Sequence, residues 1–361
     1  MKLKFSPEGK KNVEVLLVDD SPVARKMLRF LLELDPDIKV VGEAGDGKEA
    51  VLQANRLKPT MITMDLKMPV LDGYAAIEQI MRTNPTPILV VTSSYHGKNS
   101  SSAFEALSRG ALDIVQKPDL KKALGEEIES NHLVEMVKRL SGVRVKCLPG
   151  SSLAVKKNET KIVFPGALKH KIVAVGASTG GPTALSSFLG GLPTDFPLGI
   201  VIVQHITDGF EPGLVHWLSS NTPLEVLLAE NGDTISPGKV YISPAQHHTG
   251  VTAENKIYLS DAPPLNNHRP SVDALFESAA EAYGNRAIGI LLTGMGADGA
   301  KGLKIMRDCG AHTIAQDRNS SVVYGMPREA VKLDAVSEVA PLDKIPEILG
   351  KLVGYGKYSN S

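Results

Sequence analysis

The chain has 361 residues, too many for one ordinary hydrophobic core and enough for two. Forty basic residues balance forty acidic ones, so no overall charge points to nucleic acid or to an anionic membrane. Two cysteines, Cys147 and Cys309, cannot build a disulfide framework, the N-terminal MKLKFSPEGKKNVEV has no apolar signal segment, and no run is apolar enough to span a membrane; a soluble, cytoplasmic protein is expected.

Over residues 12–140 short apolar runs alternate with amphipathic stretches. VEVLLV, KVVGEA, TMITMD, PILVVT and LDIVQK read as strands, and segments such as ARKMLRFLLEL and GYAAIEQIMRT carry apolar residues at helical spacing. Five β-α repeats predict a parallel sheet with helices on both faces, whose sites lie at the carboxyl ends of the strands. There the sequence places Asp19 and Asp20, then Asp65, Thr92 and Lys117. Three carboxylates at one sheet edge repel one another unless a cation shares them, and oxygen-only ligation favours magnesium. With Lys117 beside them, an aspartate there is placed to accept a phosphoryl group, and a Thr92 hydroxyl to bind its oxygen. Helix capping is the plainer reading of Asp20, before Ser21-Pro22, but it leaves Asp65 and Lys117 unexplained.

VLLVDDSPVARKML, MDLKMPVLDG and VQKP together resemble the receiver domain of two-component response regulators, a flavodoxin-like fold. The resemblance implies that Asp65 is phosphorylated, that Asp19, Asp20, Asp65 and the Lys67 carbonyl bind magnesium, that Thr92 and Lys117 contact the phosphoryl group, and that the Lys117–Pro118 bond is cis. Ile114 departs from the aromatic residue common in receivers at that position.

Residues 141–168, rich in Gly, Pro, Ser and scattered lysines without sustained period, read as a linker. A second α/β series fills 169–356: KIVAVGAS, LGIVIVQH, LEVLLAE, AIGILLTG and HTIAQD as strands, PTALSSFLGGL and SVDALFESAAEAYG as helices. This predicts a doubly wound parallel domain. KVYISP and KIYLSD, flanking a polar segment at 239–260, predict a small antiparallel insertion.

KIVAVGASTGGP, 171–182, admits two sites. A dinucleotide cradle needs G-x-G-x-x-G and an acid closing the next strand, whereas Gly176, Gly180 and Gly181 are misspaced and that strand ends in Gln204-His205. No tyrosine has a lysine four residues on, which excludes a short-chain dehydrogenase. As a nucleophile, Ser178 sits after a strand and before a helix, His205 closes the next strand, and Asp298 follows a third strand in LLTGMGADGAKG. A serine to attack an acyl carbon, an imidazole to move the proton and a carboxylate to orient it form a triad in the order Ser, His, Asp; GASTGG is not the G-x-S-x-G elbow of α/β-hydrolases. Taken singly, each is also a plain cap, hydrogen-bonding or turn residue. His216, His247, His248, His268 and His312 are competing bases, and none has convincing metal-ligand spacing.

VGASTGGPTAL, VQH, NHRPSVDALF, LLTGMGADGAKGL and YGMPREAV are similar to the catalytic domain of bacterial chemotaxis protein-glutamate methylesterases, the CheB family. With the receiver, the resemblance spans nearly the whole chain. It implies hydrolysis of glutamate methyl esters, and deamidation of glutamines, on the cytoplasmic helices of methylated chemoreceptors. It further implies a Ser178, His205, Asp298 triad, Thr179 and Met295 positioning the reacting group or oxyanion, His268-Arg269-Pro270 bordering the cleft, a histidine kinase as phosphodonor, magnesium for the receiver and no cofactor for the esterase chemistry. Two other readings are a nucleic-acid-binding regulator, for which a basic helix-turn-helix is missing, and a noncatalytic receptor-binding adaptor.

Overall fold

The structure is a computed structural model that describes residues 12–93, 100–118, 127–143, 145 and 169–354. Most of the expected linker, and Cys147, lie outside these residues. The chain forms two compact units.

The first unit holds a five-stranded parallel sheet of β1 (Val13–Val18), β2 (Ile38–Ala44), β3 (Met61–Met64), β4 (Ile88–Thr92) and β5 (Asp113–Gln116), in the order β2-β1-β3-β4-β5. Helices α1 (Pro22–Glu33), α2 (Gly47–Leu57), α3 (Gly73–Thr83), α4 (Ser100–Ser108) and α5 (Glu127–Leu140) connect or follow the strands. Unbroken apolar runs such as LLV and ILVV suit strands covered on both faces, and Leu16, Leu17, Ile62 and Val90 are fully buried. The first three helices each start at a side-chain cap: Ser21 accepts from Ala24 N, Asp46 from Glu49 N and Asp72 from Ala75 N. The chain steps from β1 outward to β2, then returns past β1 to β3. That reversal opens a crevice above β1 and β3.

The second unit holds seven parallel strands in the order β14-β13-β12-β6-β7-β9-β8. They are β6 (Ile172–Ala177), β7 (Gly199–Gln204), β8 (Glu225–Leu228), β9 (Lys239–Ile242), β12 (Ala287–Leu291), β13 (His312–Gln316) and β14 (Glu338–Ala340); β10 (His248–Val251) and β11 (Ile257–Ser260) form a separate antiparallel hairpin. The helices are α6 (Gly181–Gly190), α7 (Glu211–Asn221), α8 (Val272–Tyr283), α9 (Ala300–Asp308), α10 (Met326–Lys332) and α11 (Ile345–Leu352). Again the order reverses, here at β6, which lies between β12 and β7.

Two local expectations fail. KVYI does not belong to the antiparallel insertion: it is β9, a strand of the main sheet, paired in parallel with β7 and β8, and the hairpin partner of KIYLS is HTGV. Only residues 229–238 connect β8 to β9, below the dozen usual for a parallel crossover, so the spacing resembles an antiparallel pair. The one cis peptide bond among the described residues is Arg269–Pro270, not Lys117–Pro118.

Candidate functional site

In the first unit, Asp19 and Asp20 follow β1 and Asp65 follows β3, so the strand reversal brings them together. One carboxylate oxygen from each lies within 4.8 Å of the others. Lys117, just past β5, reaches in with Nζ 2.6 Å from Asp19 Oδ2 and 2.8 Å from Asp65 Oδ2, its main chain fixed by a bond from its N–H to Thr92 O. Asp65 Oδ1 accepts from Leu66 N and Asp19 Oδ1 from Ser21 N. Burial pushes Asp19 up, with Lys117 and Ser21 N opposing and Asp65 adding to it; the carboxyl stays above its ordinary range. For Lys117 burial acts downward, and the two carboxylates override it. One ammonium among three acids leaves excess negative charge, and the donors are all hard oxygens; these residues fit Mg²⁺. Thr92 is fully buried at the end of β4, and the Lys67 side chain is exposed two residues after Asp65.

In the second unit, Ser178 follows β6, His205 follows β7, and Asp298 lies in the loop after β12, so the serine stands between its two neighbours' strands. Ser178 N donates to Thr293 O and His205 N to Ala177 O, both at 3.0 Å, pinning each turn to an adjacent strand end. His205 Nε2 is 2.8 Å from Asp298 Oδ2. Asp298 also accepts from Ser271 Oγ (2.7 Å), Val272 N (2.7 Å) and Asp273 N (3.2 Å), so it sits on the N-terminus of α8. Burial alone raises the carboxyl, but the bond from His205, the imidazole charge and the Ser271 and Val272 donors outweigh it and hold it down to about 2. A carboxylate that stays ionised only accepts. Nε2 therefore carries a hydrogen toward Asp298, and Nδ1 is buried and has no hydrogen-bond partner among the described residues.

Several supports were not legible in the sequence. The buried Gln204 amide donates to Ser178 O at 2.9 Å and to His205 O at 2.8 Å, tying the two turns together. A Cβ on Gly181 would lie 1.9 Å from Gln204 Oε1, and one on Gly294 would lie 2.8 Å from Ser178 Cβ, so both positions require glycine by close approach. Thr293 Oγ1 donates to Thr179 O and accepts from Val323 N, while Gln316 Oε1 receives Thr293 N. Ser271 reads as an N-cap, yet its hydroxyl serves Asp298 instead of its own helix. Their roles depend on which main-chain groups arrive nearby, and no local pattern encodes that.

Thr179 is buried beside Ser178, and Met295 is half-buried in the Asp298 loop. Of the competing histidines, His216 lies on α7 and His312 opens β13, at the opposite sheet end. His247 pairs with Asp261 at 2.6 Å. His248 is occupied on both nitrogens, accepting from Ser271 N and bonding Pro263 O. His268 lies flat on the His205 ring.

The family model described as "CheB methylesterase" matches residues 173–349, and that described as "Response regulator receiver domain" matches 15–129. A Syntrophus aciditrophicus protein named protein-glutamate methylesterase/protein-glutamine glutaminase 1 is 43% identical over 350 residues, spanning 95% of this chain and 99% of its own length. The chain belongs to the CheB methylesterase family. An Anaeromyxobacter dehalogenans member of the same name, numbered 2, is 44% identical over 346 residues, spanning 95% of this chain and 98% of its own. The crystal structure of the Thermotoga maritima CheB methylesterase catalytic domain is 41% identical, with a TM-score of 0.50, and covers 51% of this chain and 98% of that one. As in this family, a receiver precedes the methylesterase domain. No helix among the described residues is long and apolar enough to cross a membrane.

Proposed function

We propose that this chain is a protein-glutamate methylesterase, and a protein-glutamine glutaminase, acting on the cytoplasmic helices of chemoreceptors and controlled by phosphorylation of Asp65. The observation that carries the reading is the His205–Asp298 pair, one strand from Ser178, with a base nitrogen left free. Ser178 Oγ attacks the carbonyl carbon of the glutamyl methyl ester while its proton passes to His205 Nδ1; Asp298 steadies the imidazolium through Nε2. The tetrahedral intermediate collapses by breaking the bond to methoxide, which takes that proton and departs as methanol. Water then attacks the acyl-enzyme, giving one proton to Nδ1, which returns it to Ser178 as glutamate leaves. A glutamine side chain follows the same path and releases ammonia. In this reading Thr179 and Met295 position the reacting group and its oxyanion. The chemistry needs no cofactor.

At the receiver, Asp65 is the phosphoryl acceptor and a histidine kinase the donor. Asp19, Asp20 and Asp65, with the Lys67 carbonyl, would hold Mg²⁺, which supplies charge neutralisation for the transferring phosphoryl group. In this reading Thr92 and Lys117 hold its oxygens. A domain division of 12–140, 141–168 and 169–356, and a cytoplasmic location, complete the reading; it involves neither nucleic acid nor membrane insertion. The test is methanol release from membranes bearing methylated receptor, with and without a small phosphodonor. Turnover that rises with donor and vanishes in Ser178→Ala is expected; near-normal turnover by folded Ser178→Ala overturns the mechanism.

A further inference from the structure

The imidazoles of His268 and His205 are stacked, with ring centroids 4.0 Å apart and planes within 8° of parallel. A specific local structure delivers His268 there. Leu265 and His268 exchange main-chain bonds, His268 N to Leu265 O at 2.8 Å and Leu265 N to His268 O at 3.1 Å. The residues between them, Asn266 and Asn267, both have positive φ, 51° and 66°, as a two-residue type I′ turn requires. Asn266 Nδ2 then donates to Asp273 Oδ2 at 2.9 Å, in the first turn of α8. The turn carrying His268 and the carboxylate orienting His205 are thus fastened to the same helix end.

An imidazole makes hydrogen bonds only in its own plane, through two nitrogens. For His205, Nε2 is committed to Asp298, and Nδ1 has to stay open for the serine proton. Any further group holding the ring by a hydrogen bond would consume Nδ1. A ring laid on its face restricts rotation and leaves both nitrogens untouched. We propose that His268 is a positioning residue for hydrolysis, whose stacked ring fixes the plane of His205 and so keeps Nδ1 in the orientation from which it takes the Ser178 proton. This rests on Ser178 and His205 being nucleophile and base.

The test uses full-length protein and methylated receptor membranes, comparing wild type, His268→Ala, His268→Phe and Ser178→Ala. His268→Ala is expected to lower kcat about three- to tenfold, the range an aromatic pair contributes, with KM nearly unchanged. His268→Phe, which keeps a stacking ring without its nitrogens, should restore most of that loss. In spectra of histidine-labelled protein, His205 ring protons should be displaced by the neighbouring ring current in wild type and the Phe variant, and lose that displacement in the Ala variant. Unaltered kcat in His268→Ala, a change in KM alone, or a Phe variant as slow as Ala would overturn the positioning role. Turnover by Ser178→Ala would instead overturn the catalytic reading beneath it.

Discussion

Asp298 divides its two oxygens between a helix end and the His205 ring. Oδ1 takes the Ser271 hydroxyl and Asp273 N, while Oδ2 takes Val272 N and His205 Nε2. In Asp298→Asn one oxygen becomes an NH₂ that cannot accept. If it faces His205, the ring must adopt the opposite tautomer, with hydrogen on Nδ1, and the serine proton has nowhere to go. We predict that kcat falls by on the order of 10³–10⁴, the size of this substitution in the Ser-His-Asp template; initial methanol release at saturating receptor measures it, and a fall below tenfold would contradict the proton path. That Ser178, His205 and Asp298 lie at one sheet edge could be read from the sequence because each immediately follows, or lies in the loop after, an apolar run, and parallel sheets gather such residues at one edge. Gln204 could not. Its two acceptors are main-chain carbonyls, which every residue has, so the sequence shows only a glutamine ending a strand.

Helices α8 and α9 meet through a second buried carboxylate. Asp273, in the first turn of α8, accepts from Gly302 N in the first turn of α9 at 2.7 Å and from Asn266. Burial, aided by the charges of Asp298 and Glu277 and only partly countered by Gly302 N, pushes its carboxyl up to about 6. The signs of the two acids oppose. Asp273 is raised above the ordinary carboxylate value of 3.8, so its burial costs stability at neutral pH, and that cost, on the order of 3 kcal/mol, is relieved as pH falls from about 6 to about 4. Asp298 is depressed, so its contribution, on the order of 2 kcal/mol, is present above about pH 4 and is lost as pH falls toward 2. We predict maximal stability of the catalytic unit near pH 4 from these two groups, seen in thermal melts across pH, and loss of the gain between pH 7 and 5 in Asp273→Asn. A melting profile for that variant as steep as wild type over this interval would remove Asp273 from the account. At this scale the sequence was informative wherever apolar runs were unbroken, and it misled at β9. KVYI and KIYL have nearly the same letters, yet only KVYI lies against β7, and the pairing partner of a short strand is decided by tertiary contacts.

In both units the residue proposed to react lies at the strand-order reversal of a parallel sheet, Asp65 at one and Ser178 at the other. Phosphorylation of Asp65, as proposed, would add negative charge to an acidic pocket in which Lys117 already contacts two carboxylates, a local charge change of the kind that can shift the balance between two states. If the unphosphorylated receiver restrains the esterase, a bias of 1.4 kcal/mol between restrained and free states changes turnover about tenfold. Modest differences therefore suffice. The solved Thermotoga maritima catalytic domain, corresponding to half of this chain, supports testing the second unit alone. We predict that a fragment of residues 160–361 outpaces the unphosphorylated full-length enzyme, and that a small phosphodonor with Mg²⁺ accelerates the full-length protein but neither the fragment nor Asp65→Asn, whose amide is nearly isosteric and cannot form the acyl phosphate. Initial methanol release per active site, for all three proteins with and without donor, is the measurement. A fragment no faster than the unphosphorylated full-length enzyme would eliminate restraint by the receiver. Donor-dependent acceleration of the full-length protein alongside that result would mean that the phosphorylated receiver activates by recruiting substrate, because recruitment needs the receiver present and restraint needs only its removal.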